Sequence, residues 1–167
     1  MNHHAALGGI AFLAAAGAAL LYSQSASADT SGGDTVTGTY GGGIANNNPL
    51  NMRYIAPPNN FNGQIANVAG YGRYDTWQNG ARAAGLQLTQ YYNRGLQTPA
   101  AIISTWAPAS ENNTAAYIAD VCQRMNVEAG ARLSWPYDQL ELWMAMCWHE
   151  NGQNPYDQAD VLQALNS

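Results

Sequence analysis

Charge is what this chain has least of. Only 10% of its 167 residues are Asp, Glu, Lys or Arg, its net charge is −5, and its six basic residues stand singly. A nucleic-acid partner needs a basic stripe that displaces counterions from phosphates, so the composition argues against one. Histidine is nearly as scarce. His3 and His4 precede an apolar segment, leaving His149 alone in the remainder. That excludes a two-histidine zinc site and disfavours a Ser-His-Asp triad. There are two cysteines, Cys122 and Cys147. Both fall on apolar helical faces and read as buried free thiols, with a disulfide as the alternative in an oxidising compartment.

In place of charge the chain carries many Asn and Gln, ten Tyr and five Trp. Aromatic faces stack on sugar rings and amides pair with hydroxyls, so this mixture suits a neutral polyol ligand such as a glycan. It equally suits an aromatic core beneath an amide-rich surface, and composition alone leaves both open.

Residues 5–22 form an uncharged apolar run, AALGGIAFLAAAGAALLY, just long enough to span a bilayer as a helix. Ala26-Ser27-Ala28 offers an A-x-A cleavage site. The preceding residues, however, carry no Lys or Arg, so the segment (residues 1–22) reads as an uncleaved membrane anchor, with a removed signal peptide as the alternative. Either way the rest of the chain belongs outside the cytoplasm or beside a virion membrane. Residues 23–43 are Ser, Gly and Thr with little apolar content, a flexible tether that cannot offset its ordering entropy. What remains, residues 44–167, suits one domain.

That domain reads as mainly α, with a loop-rich N-terminal third. Residues 44–72 are dense in Asn, Pro and Gly, with short strand pieces expected at Met52–Ile55 and Gly63–Val68. Helical spacing then takes over. Thr76 caps a first helix carrying Trp77, Ala81, Ala84 and Leu88, in which Gly80 and Gly85 permit close packing. Thr98-Pro99 is an N-cap and N1 pair opening a second helix through Ile102, Ile103 and Trp106, stopped by Pro108. A third begins near Asn113 with Ile118, Val121, Cys122 and Met125 on one face. A fourth opens around Ser134–Pro136 with Leu140, Trp143, Met144 and Cys147 as its stripe, ended by Gly152 and Pro155. A fifth covers residues 157–165.

Glu150 stands out by position. It continues the Leu140–Cys147 stripe at the negative end of the fourth helix's dipole, beside an apolar face. Both effects raise a carboxyl pKa, and a carboxylic acid kept protonated near neutrality can donate a proton to a leaving glycosidic oxygen. The plain alternative is an exposed Glu in a fraying last turn. His149-Glu150 also invites a zincin reading, which fails because Gln153 stands where H-E-x-x-H needs histidine.

Four stretches in one order carry a resemblance. They are NNNPLNMR from Asn46, GLQT from Gly95 with Ile102-Ile103 and Trp106-Ala107-Pro108, ENNTAAYI from Glu111, and His149-Glu150-Asn151-Gly152. Together they resemble the phage and prophage "structural protein" family that includes the lysis enzyme of enveloped double-stranded-RNA phages, over nearly all of residues 44–165. The stretch from Glu150 to Pro155 is similar to the E-S-x-x-N-P segment of lytic transglycosylases, and YGRYDTW from Tyr71 to the F-x-x-Y-x-S segment of glucosaminidases. In those relatives the glutamate comes first, so the order here implies a circular permutation.

The resemblance implies a lysozyme-like fold and attack on peptidoglycan without a cofactor or metal, with Glu150 as catalytic acid. It also implies a virion protein, membrane-associated and in contact with other virion proteins, that works in the host periplasm. No G-L-M-Q follows the glutamate, so the substrate side falls to Asn47, Asn48 and Asn51, to Tyr54, Tyr71 and Tyr74, and to Asn151 beside the acid. Each has an ordinary alternative as turn former or core residue. Asp75 reads as a helix cap and Glu111 as a dipole contact at the third helix. One acid/base suffices for a transglycosylase, whereas a hydrolase usually adds a second carboxylate. An inactive structural or peptidoglycan-binding module and an endopeptidase are the competing classes.

Overall fold

The computed structural model describes residues 42–167. The apolar segment and all but the end of the tether lie outside the described residues. Among these residues, no helix is long and apolar enough to cross a membrane.

The expected mainly helical architecture is what forms. A 3-10 turn at Ile44–Asn46 and a hairpin of β1 (Gln64–Val68) and β2 (Tyr71–Tyr74) precede five helices: α1 (Trp77–Asn93), α2 (Pro99–Trp106), α3 (Thr114–Met125), α4 (Tyr137–Asn151) and α5 (Gln158–Leu165). Helices start where local side chains satisfy free backbone N–H groups. Thr76 accepts from Asn79, Thr98 from Ala101, Asn113 from Ala116 and Asp157 from Ala159. α4 has no such cap. Pro136 precedes it, and Asp138 reaches back to accept from the Ser134 N–H at 2.6 Å. Gly152 closes it at φ 65°.

α4 is the central element, packed against α1, α3 and α5. Its expected stripe faces inward, with Trp143 and Cys147 buried and Leu140 and Met144 half-buried. Leu142, Ala145 and Met146 are buried as well, so burial extends well beyond one stripe. Around it gather Leu50, Leu88, Ile102, Ile103, Val121 and Leu133. Burying each such aliphatic side chain contributes about 1.5–3 kcal/mol.

The N-terminal third departs from expectation in one place. Met52–Ile55 is no strand: Arg53 makes a lone bridge to Tyr71, because Asn51 turns left-handed (φ 55°) just before and Pro57-Pro58 follows close behind. The strand forms instead at Tyr71–Tyr74. It pairs antiparallel with β1 around Ala69-Gly70, both at positive φ as a type I′ hairpin requires.

The Asn-rich loop is held by its own amides. Asn48 is wholly buried, donating to the Met52 and Gly72 carbonyls at 2.9 and 2.8 Å and accepting from the Met52 N–H at 2.8 Å. Gly80 lets this loop sit directly on α1, since a Cβ there would lie 1.9 Å from the Asn47 carbonyl oxygen. Both cysteines are buried free thiols, as the first reading had them.

Candidate active site

The last turn of α4 carries Glu150 into contact with α3, because α3 and α4 pack side by side. There the Tyr117 hydroxyl donates to Glu150 Oε1 at 2.8 Å. Tyr117 is only 3% exposed, and burial together with the neighbouring Glu150 pushes its phenol well above the usual tyrosine value. It is therefore a donor that stays protonated.

Burial raises Glu150 above the ordinary carboxylate range. The Tyr117 hydrogen bond, the His149 charge, Trp106 and Asn51 pull it back only in part. A carboxyl shaped this way holds its proton closer to neutrality than an exposed one does, and that is the property a general acid requires.

Behind Glu150 runs a support chain. The Tyr117 ring stacks on His149, centroids 3.7 Å apart and planes 20° apart. His149 Nδ1 lies 2.9 Å from Asp120 Oδ2, and Arg124 Nε donates to Asp120 Oδ1 at 3.0 Å. Burial would raise Asp120, but the hydrogen bonds from His149 and Arg124 outweigh it and hold the group below its usual value. An ionised carboxylate only accepts, so Nδ1 carries the hydrogen.

In front of Glu150 is a cleft of about 340 Å³. It is lined by Asn51, Met52, Arg53, Ile55 and Tyr71 of the N-terminal third, by Thr105–Pro108, Glu111 and Asn112, and by Gln87 and Tyr91 of α1 together with Glu150. Amides and aromatic rings thus surround one desolvated acid, within the usual size range of small-ligand sites. Arg53 and Glu111, both lining the cleft, form an ion pair, and the Arg53 guanidinium lies 4.9 Å over the Tyr71 ring.

No family model matches the chain, and no curated protein matches it significantly.

Of the residues singled out from sequence, Glu150, Asn51 and Tyr71 meet in the cleft. Glu111 lines it as well, whereas Asn47, Asn48, Tyr54, Tyr74, Asp75 and Asn151 do not. Asn48 is spent inside the loop, and Asn47 donates to the Tyr74 and Asp75 carbonyls. Tyr74 is wholly buried, its hydroxyl facing Met52 Sδ at 3.9 Å and pushed up to about 12 by burial. Tyr54 is half-buried outside the cleft. Asn151 is a clamp: its amide donates to the Pro49 and Cys147 carbonyls at 2.8 and 2.9 Å and accepts from the Ile44 N–H at 3.3 Å. Asp75 supports the Thr76 cap, accepting from the Thr76 N–H and the Asn79 amide. Glu111 lies ahead of the Asn113 cap, outside the first turn of α3, and its carboxylate pairs with Arg53. Among the described residues, no group of three or more His, Cys, Asp and Glu is placed to hold a metal ion.

Sequence reading missed Tyr117, Trp106, Tyr91, Gln87 and Arg53 as site residues. Tyr117 had a signal. It stands four and eight residues before Val121 and Met125, a hydroxyl on an otherwise apolar face.

Proposed function

We propose that this protein is a glycan-cleaving enzyme of lysozyme-like fold that attacks peptidoglycan, with Glu150 as its single acid/base. The observation that carries the reading is a desolvated carboxyl, hydrogen-bonded by Tyr117, on the wall of a cleft lined by Asn51, Gln87, Asn112, Tyr71, Tyr91 and Trp106. In this reading a muramyl ring seats against the aromatic faces and its acetamido and hydroxyl groups meet the amides. Protonated Glu150 gives its proton to the glycosidic oxygen as the C–O bond breaks. The substrate's own 6-hydroxyl attacks the anomeric carbon, and its proton returns to Glu150, leaving a 1,6-anhydro end.

Glu111 lines the same cleft, which makes it the one candidate for a hydrolase's second carboxylate. Its oxygen is engaged by Arg53, an arrangement that favours the single-acid route. With an apolar anchor at residues 5–22, the enzyme would sit on a virion membrane and act in the host periplasm, its partners being glycan strands, that membrane and neighbouring virion proteins.

The test is digestion of purified sacculi by the wild type and by Glu150→Gln, with thermal melting alongside and mass spectrometry of released products. Acid–base help contributes roughly 100- to 10,000-fold in rate, so the folded variant should lose at least about 100-fold. Anhydro ends support a transglycosylase and reducing ends a hydrolase. Free peptides, or no wild-type release at all, would sink the glycan-cutting reading.

A further inference from the structure

The Arg53–Glu111 pair is placed where a purely structural ion pair would be wasteful. Its partners stand 58 residues apart in the chain, both line the cleft that holds Glu150, and their side chains are 58% and 52% exposed. Such a pair contributes little to stability, because water screens it and two long side chains must be ordered to make it. It is also the only ion pair among the described residues that lines this cleft.

Arg53 is pre-set for recognition. Its guanidinium is held over the face of Tyr71, which restricts the side chain and leaves its planar fork of donors at the cleft. A guanidinium presented this way matches the two oxygens of a carboxylate, the acidic group that a cell-wall glycan chain carries. Glu111 supplies a carboxylate to that fork from within the chain. Every other polar group lining the cleft, apart from the acid itself, is a neutral amide, hydroxyl or indole.

We infer that Arg53 reads a carboxylate on the substrate, exchanging Glu111 for it, so that the cleft selects an acidic glycan over a neutral one. This rests on the glycan reading above and sharpens it. The required ligand is a β-1,4-linked amino-sugar chain bearing either a lactyl-ether carboxylate or a peptide carboxylate on alternate rings. A chain of N-acetylglucosamine alone offers Arg53 nothing in return for Glu111.

Binding is measured by calorimetry on the full-length Glu150→Gln protein, which cannot turn the ligands over. Three ligands separate the sources of charge. They are chitotetraose, the alternating N-acetylglucosamine–N-acetylmuramic acid tetrasaccharide with free lactyl carboxylates, and the same chain with stem peptides amide-linked to the lactyl groups. At low salt, one or both acidic ligands should bind about two- to fivefold tighter than chitotetraose, the range of an exposed ion pair. The preference should fade in 1 M salt, where the Debye length is about 3 Å. Preference for the free tetrasaccharide assigns the lactyl carboxylate, and preference only for the peptide-bearing chain assigns the stem peptide.

Adding Arg53→Gln should abolish the preference, the acidic ligands losing more affinity than chitotetraose does. Adding Glu111→Gln should increase it, because the internal competitor is gone. A preference that survives Arg53→Gln, equal loss for acidic and neutral ligands, or a weaker preference in Glu111→Gln would each overturn the assignment. If the protein binds none of the three ligands, the glycan reading itself falls, and the role of Arg53 with it.

Discussion

Tyr117→Phe is the sharpest perturbation of this site, because it removes one oxygen and keeps the ring. Stacking on His149 and the packing of α3 on α4 survive. The 2.8 Å bond to Glu150 Oε1 does not. A hydrogen bond to a charged acceptor contributes about 1.5–3 kcal/mol net, and the bond to a neutral carboxyl about half that. The sign follows from which form of Glu150 is helped. Tyr117 favours the carboxylate, so losing it drives Glu150 further upward from a value that burial has already raised.

A folded-state pKa raised above the unfolded one adds stability that is present at low pH and lost as pH rises through the folded value. The variant should therefore trail the wild type by no more than about 1.5 kcal/mol at pH 4. It should trail by about 1.5–3 kcal/mol at pH 8, where the buried carboxylate has lost its donor. In the sacculus-clearing assay the alkaline limb of the pH–rate profile should shift upward, since the acid keeps its proton longer. Urea unfolding at the two pH values and a pH series of clearing rates read both effects. Equal destabilisation at both pH values, or an alkaline limb that stays or moves down, refutes the coupling of Tyr117 to Glu150.

Three further outcomes test the frame around the site. Asn48→Ala removes three buried hydrogen bonds at roughly 1 kcal/mol each, so urea unfolding should show a loss of about 3 kcal/mol with the m-value unchanged. Gly80→Ala should lower the melting temperature, although alanine is the better helix former. Its Cβ would drive into the Asn47 carbonyl, and overpacking of this kind costs about 1–3 kcal/mol. Thiol titration of unreduced protein should find both cysteines free once denatured, and Cys147 inert while folded, because burial pushes its thiol up to about 12. Fewer than two titratable thiols after denaturation would refute that state.

Helix starts were legible because capping is local chemistry: Thr76, Thr98, Asn113 and Asp157 each satisfy an N–H two or three residues on. The position of Glu150 was legible for a similar reason, as period and helix length place it at the end of the α4 stripe. What escaped depends on distance along the chain. Nothing near residue 150 announces a hydroxyl 33 residues upstream, nor does Arg53 announce a partner 58 residues away. The asparagines misled because side-chain amides serve backbone carbonyls as readily as sugars. Whether Asn48 turns inward or outward is decided by where Met52 and Gly72 come to lie. Strand placement went astray for a related reason. Residues 52–55 and 71–74 have comparable strand character, and the Ala69-Gly70 turn decides which of them pairs.

The Asn151 clamp sets a schedule. It fastens the residue beside Glu150 to Ile44 and Pro49, contacts that span 107 and 102 residues of chain. A ribosome adding about 5–20 residues per second needs roughly 5–20 seconds to make the stretch between them. Throughout that interval the Asn-rich loop has emerged without the helix that pins it, and one wall of the cleft has no counterpart. Contacts of such long range are also slow to close once both ends exist. A polypeptide stalled anywhere before residue 150 thus carries neither the Glu150 carboxyl nor the Asn151 clamp, and its cleft is incomplete on both counts.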